Sequence, residues 1–422
     1  MTMIDFDVVV IGAGPAGMSA AIAASDEKVS VLLLDRNTEL GGILPQCIHA
    51  GFGARRFKED LPGPLYAHRL IEELKKRPVE VWLDSFVLDV SPSRKVTVLS
   101  KRGYEEIQAR SIVLAMGCRE RTRAQLKIPG THPAGVYTAG TVQRMINREG
   151  WMPGKRFVIL GSGDIGMIMA RRITLEGGEV VRVLEALPFL TGLRRNYVQC
   201  LQDFGIELFL SRTITRIDGY ERVEGVEVAP VDENLCPDFS QKEYIPCDTV
   251  VLSVGLIPEN ELSRKMGVVL DPFTGGPVVD QYSQTSVYGV FAAGNVVQIY
   301  DLVDDVSDHG ALAGRYAACF ARSLLQWQTP SLAFSWKAPL RSVVPQRILL
   351  QEMEENGLEV FCRVSRLLEH ECRLVLRSDE TVYYEKKLPF MRPAEMVACR
   401  LDKGILQQWK THPPQRLQWE VV

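Results

Sequence analysis

Two short glycine loops, Gly12-Ala13-Gly14-Pro15-Ala16-Gly17 and Gly161-Ser162-Gly163-Asp164-Ile165-Gly166, constrain this chain more than any other feature. Each follows a short β-branched run, Val8–Ile11 or Phe157–Leu160, and each leads directly into a stretch of helical character. That order of strand, glycine turn and helix builds a phosphate cradle. The first glycine permits a tight turn, the second lets a pyrophosphate approach the backbone, and the third lets helix and strand pack closely. A second strand after each loop ends in an acid, Asp35 or Glu185, placed to accept hydrogen bonds from ribose hydroxyls. A lone G-x-G-x-x-G is weak evidence, but here strand, helix and distal acid accompany it twice.

Two such units predict one chain holding two dinucleotides. Nicotinamide exchanges hydride most usefully with a flavin, so the expected pair is FAD on the first loop and NAD(H) on the second. A carboxylate at Glu185 favours a free 2′-hydroxyl and repels a 2′-phosphate, which points to NADH before NADPH, although Arg182 and Arg194 lie close by in sequence. Asp164 and Ile165 are expected at the nicotinamide nucleotide's pyrophosphate.

The rest of the chain excludes several alternatives. With 422 residues, two or three domains are expected. A net charge of −3 gives no electrostatic basis for a nucleic-acid or membrane-surface partner. The longest apolar run, Val8–Ala24, is broken by glycines and a proline and follows Asp5 and Asp7, so neither a secretory signal nor a transmembrane segment is expected. Nine cysteines, at 47, 118, 200, 236, 247, 319, 362, 372 and 399, contain no C-x-x-C, so no metal site is expected. Scattered cysteines without a pairing motif suit a reducing, cytoplasmic setting.

With four motifs in order, the sequence resembles the two-dinucleotide-binding flavoproteins that include the pyridine nucleotide-disulfide oxidoreductases. The motifs are the two glycine loops, "IVLAMG" (Ile112–Gly117) and "TSVYGVFAAGN" (Thr285–Asn295). The last is similar to the class's second FAD motif, with Asn295 where an aspartate holds the ribityl chain; an amide can still donate and accept there. The resemblance implies an α/β fold with two Rossmann-like domains, for FAD and NAD, and a small, mainly β C-terminal domain. It implies FAD contacts from Gly12, Gly14, Pro15, Ala16, Gly17, Asp35, Arg36, Gly41, Gly42, Ile43, Val87, Ala115, Met116, Gly117, Gly294, Asn295 and His309. The nicotinamide nucleotide would take Gly161, Gly163, Asp164, Ile165, Gly166, Glu185 and Gly255. After Asn295, Ser307 or Asp308 is expected to cap a helix aimed at the flavin pyrimidine.

"GCRERTRAQLKIPGTHPAGVYTAGTVQRMIN", "LSVGLIPENELS" and "AAGNVVQIYDLVDDVS" are similar to the FAD/NAD-binding subunits of opine, proline and hydrogen-cyanide-forming dehydrogenases. They look closer still to the oxidoreductase encoded beside glycerol-3-phosphate dehydrogenase and glycerol kinase in many bacteria. This implies two partners, a small cysteine-rich electron carrier and a substrate-oxidising flavoprotein subunit. It also allows a homo-oligomer.

In the disulfide reductases a glycine pair at the position of Gly41-Gly42 leads into a C-x(4)-C redox pair. Here "GGILPQCIHAGFG" holds only Cys47, with His49 two residues on. Three readings stand. Cys47 and His49 line the flavin without redox chemistry; or Cys47 is a single catalytic thiol activated by His49, as a stand-alone NADH oxidase or peroxidase needs; or both are packing residues.

The expected domains are 1–119 with 275–326 for FAD, 120–274 for NAD(H), and 330–422 for docking or dimerisation. "RVEGVEVAPVDENLCPDFSQKEYIPCDTVVLSVG" reads as a hairpin with a polar loop. The expected activity is an FAD-dependent NAD(P)H oxidoreductase exchanging electrons with a partner protein, with a non-catalytic FAD-holding subunit as the rival from another class.

Overall fold

The computed structural model describes residues 4–323, 331–349 and 357–422. The chain divides into two compact units, Met1–Cys118 with Pro258–Val422, and Arg119–Ile257. The return to the first unit therefore falls at Pro258, not near 275. Asn260 explains it: its side-chain amide donates to the carbonyls of Gly275 and Val296, tying this stretch to the second FAD motif. Met266 and Val268 also pack into the same core as Val9 and Ile112. The expected limits at 326 and 330 lie outside the described residues.

In the first unit the strands Val79–Trp82, Val31–Leu34, Ile4–Ile11 and Gly103–Leu114 run parallel, side by side. Val290–Ala292 joins the far side of Gly103–Leu114. Val8 to Ile11 and Val31 to Leu34 are buried throughout, as strands covered on both faces require. Their register decides the site. Ile11 stands opposite both Leu34 and Leu114, and Leu114 opposite Ala292. Gly12, Asp35, Ala115 and Ala293 therefore leave the sheet at one carboxyl edge, where open α/β sheets bind ligands.

Helix Pro15–Asp26 packs on helix Val303–Ala321 through small residues. A Cβ on Gly310 would stand 2.1 Å from Ala16 O, and one on Gly314 2.0 Å from Ala20 O. The two backbones are in contact. The C-terminal residues form a five-stranded and a three-stranded sheet with helix Lys403–Thr411, around the fully buried Trp409 and Trp419.

The second unit repeats the plan. Leu208–Phe209, Glu179–Leu184, Arg156–Leu160, Thr249–Leu252 and Val136–Thr138 form a parallel sheet. Leu160 faces both Leu184 and Leu252, so Gly161, Glu185 and Ser253 leave at the same level. The expected hairpin is present as antiparallel Val223–Pro230 and Glu243–Pro246, extended by Arg212–Gly219.

Candidate functional site

The first glycine loop is shaped before any ligand arrives. Gly12 has φ +103°, and a Cβ on Gly17 would stand 1.7 Å from Gly12 O, so helix and turn meet backbone to backbone. Helix Pro15–Asp26 starts from Gly14 with proline in its first turn and no capping side chain. Its first-turn amides, at the positive end of the helix dipole, thus lack a side-chain acceptor, as a pyrophosphate cradle requires. The buried Asp35 carboxylate accepts from Ala13 N at 2.6 Å and from Asn37 N at 2.8 Å. A carboxylate offers about four acceptor sites, so two remain for ribose hydroxyls. Arg36 is exposed beside it.

Gly41 N donates to Ala13 O at 2.9 Å, and a Cβ on Gly42 would meet Gly14 Cα at 2.9 Å. The glycine pair thus lies against the phosphate loop, with Ile43 exposed. Ala115 N donates to Ile11 O at 2.8 Å, Met116 and Gly117 follow, and Glu259 N donates to Gly117 O at 3.0 Å. Val87 sits on the antiparallel strand Phe86–Val90, opposite Val98.

Asn295 uses both ends of its amide. Its Nδ2 donates to Cys118 Sγ at 3.6 Å and its Oδ1 accepts from Tyr300 N at 3.1 Å. An aspartate could not donate to the sulfur in this way. Gly294 N donates to Nδ1 of His309 at 3.2 Å, and the Tyr300 hydroxyl lies 2.8 Å from the same nitrogen. A nitrogen that accepts an N–H carries no proton, so His309 is neutral with its proton on Nε2. Burial holds its pKa down to about 4.

The helix after Asn295 begins at Val303, not at Ser307 or Asp308, which stand inside it. Acids in the first turn, Asp304 and Asp305, favour the positive end of the helix dipole and set that start. Ser307 instead shares a 2.8 Å hydrogen bond with the buried Tyr66 hydroxyl. Arg55 donates its backbone N–H to Asp304 at 2.9 Å and its guanidinium to Asp308 at 2.7 Å, and pairs with Asp305 at 2.5 Å. These contacts pin the Gly41–Leu61 segment to the helix.

Cys47 and His49 turn to different partners. The Cys47 thiol donates to Ile43 O at 3.4 Å, and its Cβ lies where a Cβ on Gly63 would come within 2.9 Å. Burial pushes its pKa up to about 12, the opposite of an activated thiolate. His49 donates from Nδ1 to Ala50 O at 2.9 Å, and its ring lies 5.0 Å from that of Phe52, tilted by 38°. None of the nine cysteines is in a disulfide.

In the second unit, helix Asp164–Leu175 likewise starts from a glycine, Gly163, without a capping side chain. Gly161 has φ +105°, and a Cβ on Gly166 would meet Ser253 Cβ at 2.7 Å, the close approach this loop needs. The 95% buried Glu185 accepts four hydrogen bonds: Ser162 N at 2.9 Å, Ser162 Oγ at 2.7 Å, Thr191 Oγ1 at 3.0 Å and Leu187 N at 3.0 Å. Its acceptor capacity is taken by its own loop, which spacing alone did not reveal. The Asp164 carboxylate accepts from Leu193 N at 2.8 Å and Asn196 Nδ2 at 2.6 Å. Arg182 pairs with Glu243, Arg194 is exposed, and Gly255 O accepts from Arg121 N at 3.2 Å. Ile165 is part-buried in the first helical turn.

The model of the pyridine nucleotide-disulphide oxidoreductase family matches residues 6–310. Among curated proteins, the chain is 27% identical to the hydrogen cyanide synthase component HcnB of Pseudomonas protegens, over 62% of this chain and 58% of that protein. It is 27% identical to one subunit of opine oxidase from Agrobacterium tumefaciens, over 69% and 61%. The chain thus spans less than two thirds of these relatives. Thioredoxin reductase of T. acidophilum has the same fold at a TM-score of 0.62 and 24% identity, over 76% of this chain and 99% of that one.

Proposed function

Because the chain belongs to the pyridine nucleotide-disulphide oxidoreductase family, whose members bind FAD and use NAD(P)H, we propose that it is an FAD-dependent NAD(P)H oxidoreductase that exchanges electrons with a partner protein. The observation that carries this reading is the pairing of two uncapped glycine-loop helices with a flavin-side loop that has one protonated thiol and no dithiol. Bound to the first unit, FAD supplies reversible hydride exchange with a nicotinamide. The chain's own contribution is binding and orientation. Ala13 and Asp35 shape the turn for the adenosine end, Gly14 and Gly42 give the pyrophosphate room, and Asn295 presents its remaining N–H to the ribityl chain.

Electrons then leave through another protein, since the loop at Cys47 lacks a second cysteine to relay them. The names of the relatives, one a part of a synthase and the other a part of an oxidase, support a multi-component system. A substrate-oxidising flavoprotein and a small cysteine-rich carrier fit the role, with a glycerol-3-phosphate-type dehydrogenase as the partner system. The Glu185 carboxylate supports NADH over NADPH by repelling a 2′-phosphate, and the scattered cysteines, none in a disulfide, support a cytoplasmic setting.

Anaerobic titration of the purified, FAD-loaded chain with NADH and with NADPH tests the proposal. NADH is expected to bleach the flavin at stoichiometric amounts; an unchanged spectrum with both nucleotides supports a non-catalytic FAD-holding role instead.

A further inference from the structure

On the face of helix Val303–Ala321 that bears Asp305, Asp308, His309 and Leu312, a cavity of about 190 Å3 opens toward Glu359 and Phe361 of the C-terminal sheets. Gly310 and Gly314, on the same helix, face helix Pro15–Asp26 instead, while His309 and Tyr300, which contact Gly294 and Asn295, line the cavity. Its exposed end carries Asp308 and Glu359. Its interior holds two polar groups in need of a partner. Ser283 is 1% exposed, and its hydroxyl has no hydrogen-bond partner among the described residues. Asp280 is 2% exposed; its Oδ1 accepts from Tyr282 N and Gln284 N at 3.0 Å each, whereas Oδ2 accepts no hydrogen bond among the described residues, and its nearest cation is Arg347 at 3.8 Å.

Leu312, Val344, Leu358, Leu406 and Phe361 supply apolar walls, beside the polar side chains of Gln281, Tyr300 and His309. Buried polar groups left without hydrogen bonds are costly, more so when charged, so a ligand that satisfies them gains what their burial loses. Acceptors outnumber donors here. Four carboxylates line the cavity, at Asp280, Asp305, Asp308 and Glu359, while Arg55 is engaged by Asp305 and Asp308. Burial raises the Asp280 carboxyl to about 6 against the opposing pull of Arg347, whose guanidinium stays 3.8 Å from Oδ2, beyond hydrogen-bond distance. A donor with a positive end and an apolar body fits both the acids and the walls.

We propose that this cavity binds a small aliphatic ammonium ion, its nitrogen donating to Asp280 Oδ2 and Ser283 Oγ and its carbon body lying against Leu312 and Phe361. The site is independent of the nicotinamide reading and would stand if that reading failed. The alternative occupant is water, of which the volume holds about six molecules at roughly 30 Å3 each.

Calorimetry of the full, FAD-loaded chain with n-butylammonium and with 1-butanol separates them. The ammonium ion is expected to bind saturably, with a dissociation constant below about 1 mM, and the neutral alcohol much more weakly. Asp280→Asn is expected to weaken ammonium binding roughly tenfold or more. Leu312→Trp fills the cavity from a partly exposed helix position and is expected to abolish binding, which keeps the test alive if Asp280→Asn fails to fold. Equal binding of the two probes, absence of saturable heat with both, or an unchanged affinity in the folded Leu312→Trp protein overturns the proposal.

Discussion

The backbone N–H of Ala13 donates to Asp35 Oδ2 at 2.6 Å, and the same bond recurs in the second unit from Ser162 N to Glu185 Oε2 at 2.9 Å. In both units the acid at the end of the second strand therefore holds the glycine turn. The two differ in what is left over for a ribose, with Asp35 holding two internal donors and Glu185 four.

Replacing Asp35 with alanine leaves the Ala13 and Asn37 amides without their acceptor. Each such loss costs about 1–3 kcal/mol. FAD affinity is expected to fall tenfold or more, read as flavin fluorescence released on dialysis; full retention of FAD would show that the turn holds itself.

Gly166→Ala places a Cβ 2.7 Å from that of Ser253. Because this contact lies wholly in the second unit, the variant is expected to keep its FAD stoichiometry while losing NADH-dependent flavin reduction. Loss of FAD together with reduction would refute the separation of the two cradles.

Cys47→Ser is expected to leave NADH turnover with an artificial acceptor near normal. A thiol pushed up to about 12 is roughly one part in a thousand thiolate at pH 9. Iodoacetamide should accordingly label the exposed Cys236 before Cys47. A collapse of turnover in the serine variant restores the single-thiol oxidase or peroxidase.

His309 is neutral in the folded chain, with its pKa held near 4 by burial, against 6.5 for the unfolded value. The unfolded chain thus binds the extra proton first as pH falls. Stability from this residue is complete above pH 6.5 and declines toward pH 4, by at most about 3–4 kcal/mol. Asp280, raised to about 6, acts in the opposite direction between pH 6 and 4, so the variant difference is the informative quantity. His309→Asn keeps an acceptor for Gly294 N and should flatten the slope of melting temperature between pH 6.5 and 5; an unaltered slope assigns it to other groups.

Both glycine loops, their strands and their acids were legible because a phosphate cradle needs particular residues at particular spacing. What was not legible depends on side-chain contacts that spacing does not announce, whether near or far in sequence. Glu185 shares its carboxylate with Thr191, and Asn295 reaches Cys118, 177 positions away. The misplaced helix start was recoverable: Asp304 and Asp305 are the acids a first turn favours, and they precede Ser307. The return at Pro258 rests on the Asn260 side chain bridging to Gly275 and Val296, and no local pattern announces such a bridge.

The contact of Gly310 and Gly314 with the backbone of Ala16 and Ala20 has a consequence for how the protein is made. The first phosphate loop and the helix that braces it lie almost 300 residues apart, so the loop is synthesised well before its brace. Contacts of such high sequence separation form late, because the intervening loop must close first. Until that helix has been made a nascent chain carries half a cradle, and cofactor loading becomes a checkpoint on synthesis through this helix.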